Sequence, residues 1–545
     1  MAPKILTKLI AGKDPISSEV PVAGINLVHL VRSERSRLLL RLESYYRCSQ
    51  HAHKLWDFYG CSIGIPGTSR IESTGYIPMK DRLPSATMDL AKVIVDRLTA
   101  LVFGGDHMPM IKVEGDADAE DFARELAKAS KLSVIMAEAR SIGGATGSVA
   151  LSWGFVDGKP RIEVHRPAFI EVLEWADWPE RKPAKVLKVY SYNRRVWSDD
   201  GRQIEKTYYY ARYWDDQRDI TWDEIPEVTA KTVGWTQTPY KIVRHDAGIC
   251  PVYWAQNLPD SSEQDGISDY EGQMEDFDEI DILLSSTTKG TILNVDPTLV
   301  VHDLPGNNPG VTHKGSYTSL YSEKGAEYLE LKGSAVEAAL KLAKDLRQYQ
   351  LDKASVVIQD PEKAGGGALS AVAMKTRFLS MLAKCDVIRE QYGCVITKIL
   401  ADMLDVSRRL SVVKQDENGA EYWGRVDLPM KTVTDDDGQN PQKVDRHPGQ
   451  SSDVTLAWPP YFPPTLEDKA KAVETAKNAT GGQQVISHRT AVQSLASMFS
   501  IENPDDEMEL IQGDEDARAD KAREIFDGGP RPQLQGEPDD DEDGE

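Results

Sequence analysis

Ile358-Gln359-Asp360-Pro361-Glu362-Lys363-Ala364-Gly365-Gly366-Gly367 runs almost directly into Leu369-Ser370-Ala371-Val372-Ala373-Met374-Lys375-Thr376-Arg377-Phe378. The reading of this stretch decides the fold. Three successive glycines hold no fixed shape by themselves. The chain that follows reads as one long helix. Phe378, Met381, Leu382, Cys385, Ile388, Tyr392, Val395, Ile396, Ile399 and Met403 recur at helical spacing and form one apolar stripe. A loose loop hinged on a rigid lever suits contact with something that moves past it. The plainer reading is a surface loop ahead of a core helix.

The totals set the frame. A chain of 545 residues exceeds what one hydrophobic core holds, so several structural units are expected. With 40% hydrophobic and 28% charged residues it reads as soluble and folded rather than disordered. No apolar run reaches bilayer length, and Met1 to Lys13 lacks the pattern of a signal peptide. The five cysteines are an odd set without a CxxC, which points to a reducing compartment such as a cytoplasm. Cys385, on the apolar stripe, reads as a small core residue. A net charge of −23 argues against broad gripping of DNA, which needs clustered Lys and Arg. The run Glu537 to Glu545 contains no apolar residue and is expected to be disordered.

Working outward, residues from about 26 to 60 read as helical. A second helix is expected from Pro84-Ser85 to Gly104-Gly105, and a third from Ala117 to Ile142. From Ser148 to Trp254 the chain alternates and is rich in aromatics, which predicts an antiparallel β unit. Its Trp and Tyr residues suit a small sheet's core or, as the alternative, a sugar platform.

Two helices follow. One starts at Ser268-Asp269-Tyr270-Glu271, the other at Ser334-Ala335-Val336-Glu337, and both sequences read as capping boxes. The first is expected to end at Lys289-Gly290, with Glu271, Glu275 and Asp278 on its polar face. The second carries Val336, Leu340, Ala343 and Leu346 on one side and Lys341, Asp345, Gln348 and Asp352 on the other. Between them, Thr291 to Gly333 reads as a compact insert with strands near Thr298 to Val301 and Tyr328 to Leu331. Later segments predict short strands at Val426 to Leu428 and Val454 to Trp458. Helices are then expected from Thr465, Ser487 and Asn503.

The motifs of common catalytic centres are missing: there is no GxxxxGK[ST], HExxH or GxSxG, and the ten His residues lack metal-ligand spacing. Gly143-Gly144-Ala145-Thr146-Gly147-Ser148 reads as a helix-to-strand turn, and Asp435-Asp436-Asp437 as a solvated acidic loop. No enzyme, cofactor or metal is expected.

The order of these segments resembles the portal proteins (head-to-tail connectors) of tailed bacteriophages. Gly266 to Glu271 followed by Asp278, Ile280, Asp281 and Ser285 resembles the first helix of the portal stem. Gly365-Gly366-Gly367 and Leu369 to Phe378 resemble the tunnel loop and the helix after it. Ile94-Val95-Asp96-Arg97 with Leu101-Val102-Phe103-Gly104 looks like the wing. Trp458-Pro459-Pro460, Pro463-Pro464-Thr465 and Ile486 to Ala491 look like the approach to the crown. The likeness spans residues 30 to 512.

The resemblance implies an α+β portal-type fold. It has an N-terminal arm (1–25), a wing with the β unit (26–258), two stem helices (259–290 and 334–354) around a clip (291–333), and a tunnel loop (355–368). The long helix and strands of the wing (369–464), crown helices (465–512) and an acidic tail (513–545) complete it. It also implies a homo-oligomeric, dodecameric ring at one capsid vertex of a virion, assembled in the bacterial cytoplasm. Double-stranded DNA would pass through the ring without sequence specificity during packaging and ejection. Terminase large subunit, then a head-completion or adaptor protein, would dock on it, and the major capsid protein and scaffold would surround it. No membrane is involved. By the same likeness Lys363, Gly365, Gly366, Gly367, Lys341, Lys344, Asp345 and Gln348 face the channel, and Asn307, Asn308, Gly310, His313 and Lys314 lie on the docking surface. The competing class is a carbohydrate-active enzyme or saccharide-binding protein built on the aromatic β unit.

Overall fold

A computed structural model describes residues 26–52, 56–57, 82–177, 180–197, 202–232, 239–245, 247–295, 298–301, 326–329, 334–358, 376–410, 421–434, 441–462, 466–480, 486–499 and 501, with short helical pieces between 507 and 518. The chain divides into two units. One comprises Met1–Lys363 and Phe378–Trp458, the other Ala364–Arg377 and Pro459–Glu545.

The first unit begins with α1 (Leu27–Val31), α2 (Glu34–Tyr46), β1 (Trp56–Asp57), β2 (Arg82–Leu83), α3 (Leu90–Phe103), β3 (Met110–Val113), α4 (Ala117–Ala129) and α5 (Leu132–Thr146). It continues through β4 (Ser148–Val156), β5 (Lys159–His165), β6 (Ile170–Asp177), β7 (Lys182–Trp197), β8 (Gln203–Trp214), β9 (Arg218–Pro226), α6 (Glu227–Ala230), β10 (Lys241–Arg244) and β11 (Val252–Gln256). Then come α7 (Met274–Val295), β12 (Thr298–Val301), β13 (Ala326–Leu329), α8 (Ser334–Lys353), α9 (Leu379–Arg409), β14 (Glu421–Tyr422), β15 (Lys431–Thr434), β16 (Pro441–Val444) and β17 (Val454–Ala457). The second unit contributes α10 (Leu466–Thr480) and α11 (His488–Phe499), which contact each other. The architecture is mixed α+β.

The expected antiparallel β unit is present as two sheets. One has the order β14-β10-β9-β8-β7-β6, the other β11-β4-β5. Within the first sheet only the β10–β14 pairing is parallel. Alternation decides what each face does. Val189, Tyr209, Ala211 and Tyr213 point to a core closed by Leu27 and Val28 of α1. Val186 and Trp214 on the opposite face pack with Ala150, Val252 and Trp254 of the second sheet.

Several boundaries differ from the sequence reading, each for a local reason. The helix expected over 26–60 is two, because Ser33 accepts the Ser36 N–H at 3.1 Å and caps α2. α3 starts at Leu90 rather than at Pro84-Ser85. Backbone amides at Ser85, Ala86 and Met88 are drawn off to Ser285 Oγ and Asp281 Oδ1. The helix expected over Ala117 to Ile142 breaks at Lys131, whose φ is +57°. Its second half runs on through Gly143 and Gly144, and Gly147 at φ +85° ends it. Residues 426–428 form no strand; there Asp427 N–H reaches the Gly158 carbonyl at 2.7 Å. The stripe on α9 is buried as expected, from Phe378 and Met381 to Met403. Burial pushes the Cys385 thiol up to about 12, which suits a packed core cysteine.

Candidate functional site: the root of a helix pair

α7 and α8 run antiparallel. Lys353 at the end of α8 lies 3.6 Å from Asp276 near the start of α7, and Gly290 late in α7 faces Val336 early in α8. At 22 and 20 residues, each spans about 30 Å. The insert between them carries a strand pair with Thr298 opposite Leu329 and Val301 opposite Ala326, close to the expected positions.

The first capping box is only half formed. Ser268 N–H does reach Glu271 Oε2, at 3.3 Å. The Ser268 hydroxyl instead donates to the Gly144 and Ala145 carbonyls at 3.0 and 2.9 Å, and α7 starts only at Met274. The hydroxyl thus donates to the end of α5, and on its own segment it accepts the Tyr270 N–H at 3.4 Å instead of the Glu271 N–H of a capping box. α7 also runs five residues past Gly290.

This root contains a buried ionic cluster. Arg140 of α5 donates through Nη2 to Asp269 Oδ2 at 2.8 Å, and neither side chain is exposed. Asn257 Nδ2 donates to Asp269 Oδ1 at 3.0 Å. Lys384 of α9 approaches the same carboxylate at 3.6 Å and donates to the Ala354 carbonyl, just beyond α8, at 3.1 Å. One ammonium therefore joins the start of the α7 segment to the end of α8. Burial holds the Lys384 amine below its ordinary range. Gly143 and Gly144 make room for the cluster. A Cβ on Gly143 would lie 1.9 Å from the Tyr392 hydroxyl, and one on Gly144 would lie 2.0 Å from Arg140 Nη1. Among the described residues, Arg140 Nε and Nη1 and the Tyr392 hydroxyl have no hydrogen-bond partner.

Beyond the root, α7 is stitched to the body on one side. Tyr45 hydroxyl donates to Asp278 Oδ2 at 3.1 Å, so Asp278 is half-buried rather than on the solvent face with Glu271 and Glu275. Asp281, 2% exposed, takes the Met88 N–H and lies 3.0 Å from His51 Nε2. Ser285 takes the amides of Ser85 and Ala86.

On α8, Lys341, Lys344, Asp345 and Gln348 are all exposed and form one polar strip with Glu337 and Asp352. Gln348 donates to Asp352 at 2.7 Å. Leu340 is 44% exposed on one flank of the strip, not packed with Ala343 as expected. Leu342 and Tyr349 are 51% and 66% exposed on the other. Lys363, Gly365, Gly366 and Gly367 lie outside the described residues, as do Asn307, Asn308, Gly310, His313 and Lys314, the N-terminal arm, the acidic tail apart from Gly513 and Arg518, and Asp435 to Asp437.

Two other arrangements invite a chemical reading. Ser152 Oγ is 2.7 Å from His165 Nε2, both buried. A catalytic dyad would place a carboxylate on Nδ1. Here Nδ1 faces Lys188 Nζ at 3.0 Å. The ammonium can only donate, so Nδ1 accepts and Nε2–H donates to the serine. This imidazole cannot take the serine proton. Burial first, then Lys188 and Arg212, hold the His165 pKa well below its ordinary value.

The second is a tyrosine ladder on the six-stranded sheet. Tyr190 stacks on Tyr210 at 5.0 Å and Tyr192 on Tyr208 at 6.1 Å. Sugar platforms use open ring faces. Here Tyr190 and Tyr210 turn one ring face to each other, as do Tyr192 and Tyr208.

Among the described residues no group of three His, Cys, Asp or Glu is placed to hold a metal, and no helix is long and apolar enough to cross a membrane. The sequence matches no protein-family model and no curated protein.

Proposed function

We propose that the chain is the subunit of a portal ring that conducts double-stranded DNA through one vertex of a bacteriophage capsid. The observation that carries this reading is the pair α7–α8 with a strand pair between its two helices. The pair is rooted in a mixed body by a buried cluster and sewn to it along one side. A polar strip on α8, flanked on both sides by exposed leucines and a tyrosine, suits a ring. Each subunit has two neighbours in a closed rotational assembly, so two apolar flanks are covered and the strip faces the lumen. Repetition around an axis then turns a few charges per chain into a continuous lining.

In this reading the channel-facing residues are Lys341, Lys344, Asp345 and Gln348, joined by Lys363 and Gly365 to Gly367 of the tunnel loop. The insert 291–333, with Asn307, Asn308, Gly310, His313 and Lys314, receives terminase and then the head-completion protein.

Negative-stain imaging with light scattering of the purified chain tests the class. A ring with a central hole is expected. A stable monomer across a wide concentration range overturns the reading, and polysaccharide hydrolysis or binding without a ring favours the carbohydrate alternative.

A further inference from the structure

β11 is the outer strand of its sheet and, among the described residues, pairs with β4 and no other strand. The register decides which backbone groups that pairing uses. Trp153 N–H reaches the Pro251 carbonyl at 3.0 Å, and Asn257 N–H reaches the Gly147 carbonyl at 2.8 Å. Bonded pairs alternate along an antiparallel ladder, so Tyr253 and Ala255 turn their amides and carbonyls to β4. Trp254 and Gln256 turn theirs to the other side. There, among the described residues, no second strand meets them. Trp254 and Gln256 are nevertheless only 4% and 3% exposed. Buried backbone donors and acceptors are almost always paired, so this edge is short of a partner.

Space for one is present. A cleft of about 440 Å³ is lined by Tyr253, Trp254, Ala255 and Gln256 together. Side chains of a strand point alternately to its two faces, so a cleft that meets four residues in a row lies along the edge. Its walls are residues 180–182 at the start of β7, residues 259–261 and α9. The charges of the rim are balanced. Glu180, Asp260 and Glu390 stand against Arg181, Lys182 and Lys398, and Lys398 donates to Glu180 at 2.9 Å. Such a rim selects by main-chain and apolar contact rather than by net charge.

A segment of this chain has the length and pattern to fill the cleft. Residues 1–25 precede the described chain. Within them, Ile5-Leu6-Thr7-Lys8-Leu9-Ile10 has the composition of a strand and lies between Pro3 and Gly12. Arg35 of α2 stands 5.6 Å from the centre of the Trp254 ring. Asn26 is nine residues before Arg35, so the arm ends within about 35 Å of that ring. The sixteen residues from Ile10 to Asn26 can span about 50 Å, which is enough to reach it.

We propose that the N-terminal arm docks in this cleft, through Ile5–Ile10 of the same chain, as a strand added to β11. The four outward backbone groups of Trp254 and Gln256 bond to the arm, and β11 becomes an inner strand.

Hydrogen exchange at single-amide resolution tests this. Three samples are compared: the unaltered chain, a chain lacking residues 2–20, and the full-length variant Thr7→Pro, Lys8→Pro. Adjacent prolines remove a ladder donor whichever side of the arm faces β11. Both alterations should speed the Trp254 and Gln256 amides at least about tenfold. The Tyr253 and Ala255 amides, bonded to β4, should not change. A peptide of residues 2–13 added to the shortened chain should restore the slow rates. Equal rates at Trp254 and Gln256 in all three samples overturn the proposal, because water alone would then fill the cleft. So does an even acceleration of all four amides, which would mark a general loss of stability. Protection in the unaltered chain that vanishes on dilution also overturns it, since the arm would then come from a second copy.

Discussion

The Arg140 guanidinium lies 2.8 Å from the Asp269 carboxylate with neither side chain exposed. The pair joins α5 to the segment that leads into α7, so its loss acts on the helix pair as well as on stability. Asp269→Asn leaves a buried cation without its counter-charge. A loss of about 3–5 kcal/mol is expected in denaturant unfolding. The double replacement Arg140→Met, Asp269→Leu removes both charges but leaves the Lys384 amine and the Asn257 amide without the carboxylate they meet, so it should recover only part of that loss. If Asp269→Asn unfolds at the parent's midpoint, the cluster is not what fixes the root.

Gly143 and Tyr392 form a second testable pair. Gly143→Ala drives a methyl into the Tyr392 hydroxyl and is expected to cost about 1–3 kcal/mol. Tyr392→Phe deletes a buried hydroxyl without a partner among the described residues, and should be neutral or slightly stabilising. In the Tyr392→Phe background the alanine should cost less. A double-mutant cycle that shows simple additivity would refute the close approach.

His165 makes stability sensitive to acid. Its folded pKa is depressed by burial, and by Lys188 and Arg212. The unfolded chain therefore binds the proton first. Stability is fully present above the ordinary histidine value of 6.5 and falls as the pH drops below it. The loss approaches about 1.4 kcal/mol per pH unit from this group. Melting curves between pH 7 and pH 5 should show a steeper decline for the parent than for His165→Gln. Parallel declines would assign the acid sensitivity elsewhere.

Lys131 is exposed and sits at φ +57° where α4 gives way to α5. A side chain in the left-handed region costs about 1 kcal/mol. Lys131→Gly should raise stability by about that amount, measured as a shift in the denaturant midpoint without a change of slope. A lower midpoint would mean that Lys131 makes contacts worth more than its strain.

The channel reading predicts a division between assembly and transport. Lys341 and Lys344 are exposed on α8, so Lys341→Glu with Lys344→Glu should shift stability by less than about 0.5 kcal/mol. Rings should still form, while packaged DNA should be retained less well. Monomers from this variant would place the strip at a subunit contact instead of the lumen.

Periodic features were readable in the sequence; convergent ones were not. The α9 stripe, the β unit and the strand pair of the insert repeat at 3.6 or 2 residues, so neighbouring residues report one another. The root cluster has no period. Arg140, Asn257, Asp269 and Lys384 come from separate segments, and each looks like an ordinary polar residue in its own window. Gly143-Gly144 was the only local signal, and it reads as a turn until the Arg140 and Tyr392 side chains are seen lying over it. Ser268 misled for a related reason: its hydroxyl donates to carbonyls 124 and 123 residues away in sequence, partners that its own window does not show.

The stitches between α7 and the 85–88 segment carry a consequence for biosynthesis. The amides of Ser85 and Ala86 end on Ser285, 200 and 199 residues later, and that of Met88 on Asp281, 193 residues later. A ribosome adds about 5–20 residues per second, so the upstream segment waits on the order of 10–40 s for its acceptors to be made. During that wait these three backbone donors have only water. A product cut short before Asp281 would leave the amides of Ser85, Ala86 and Met88 without these acceptors.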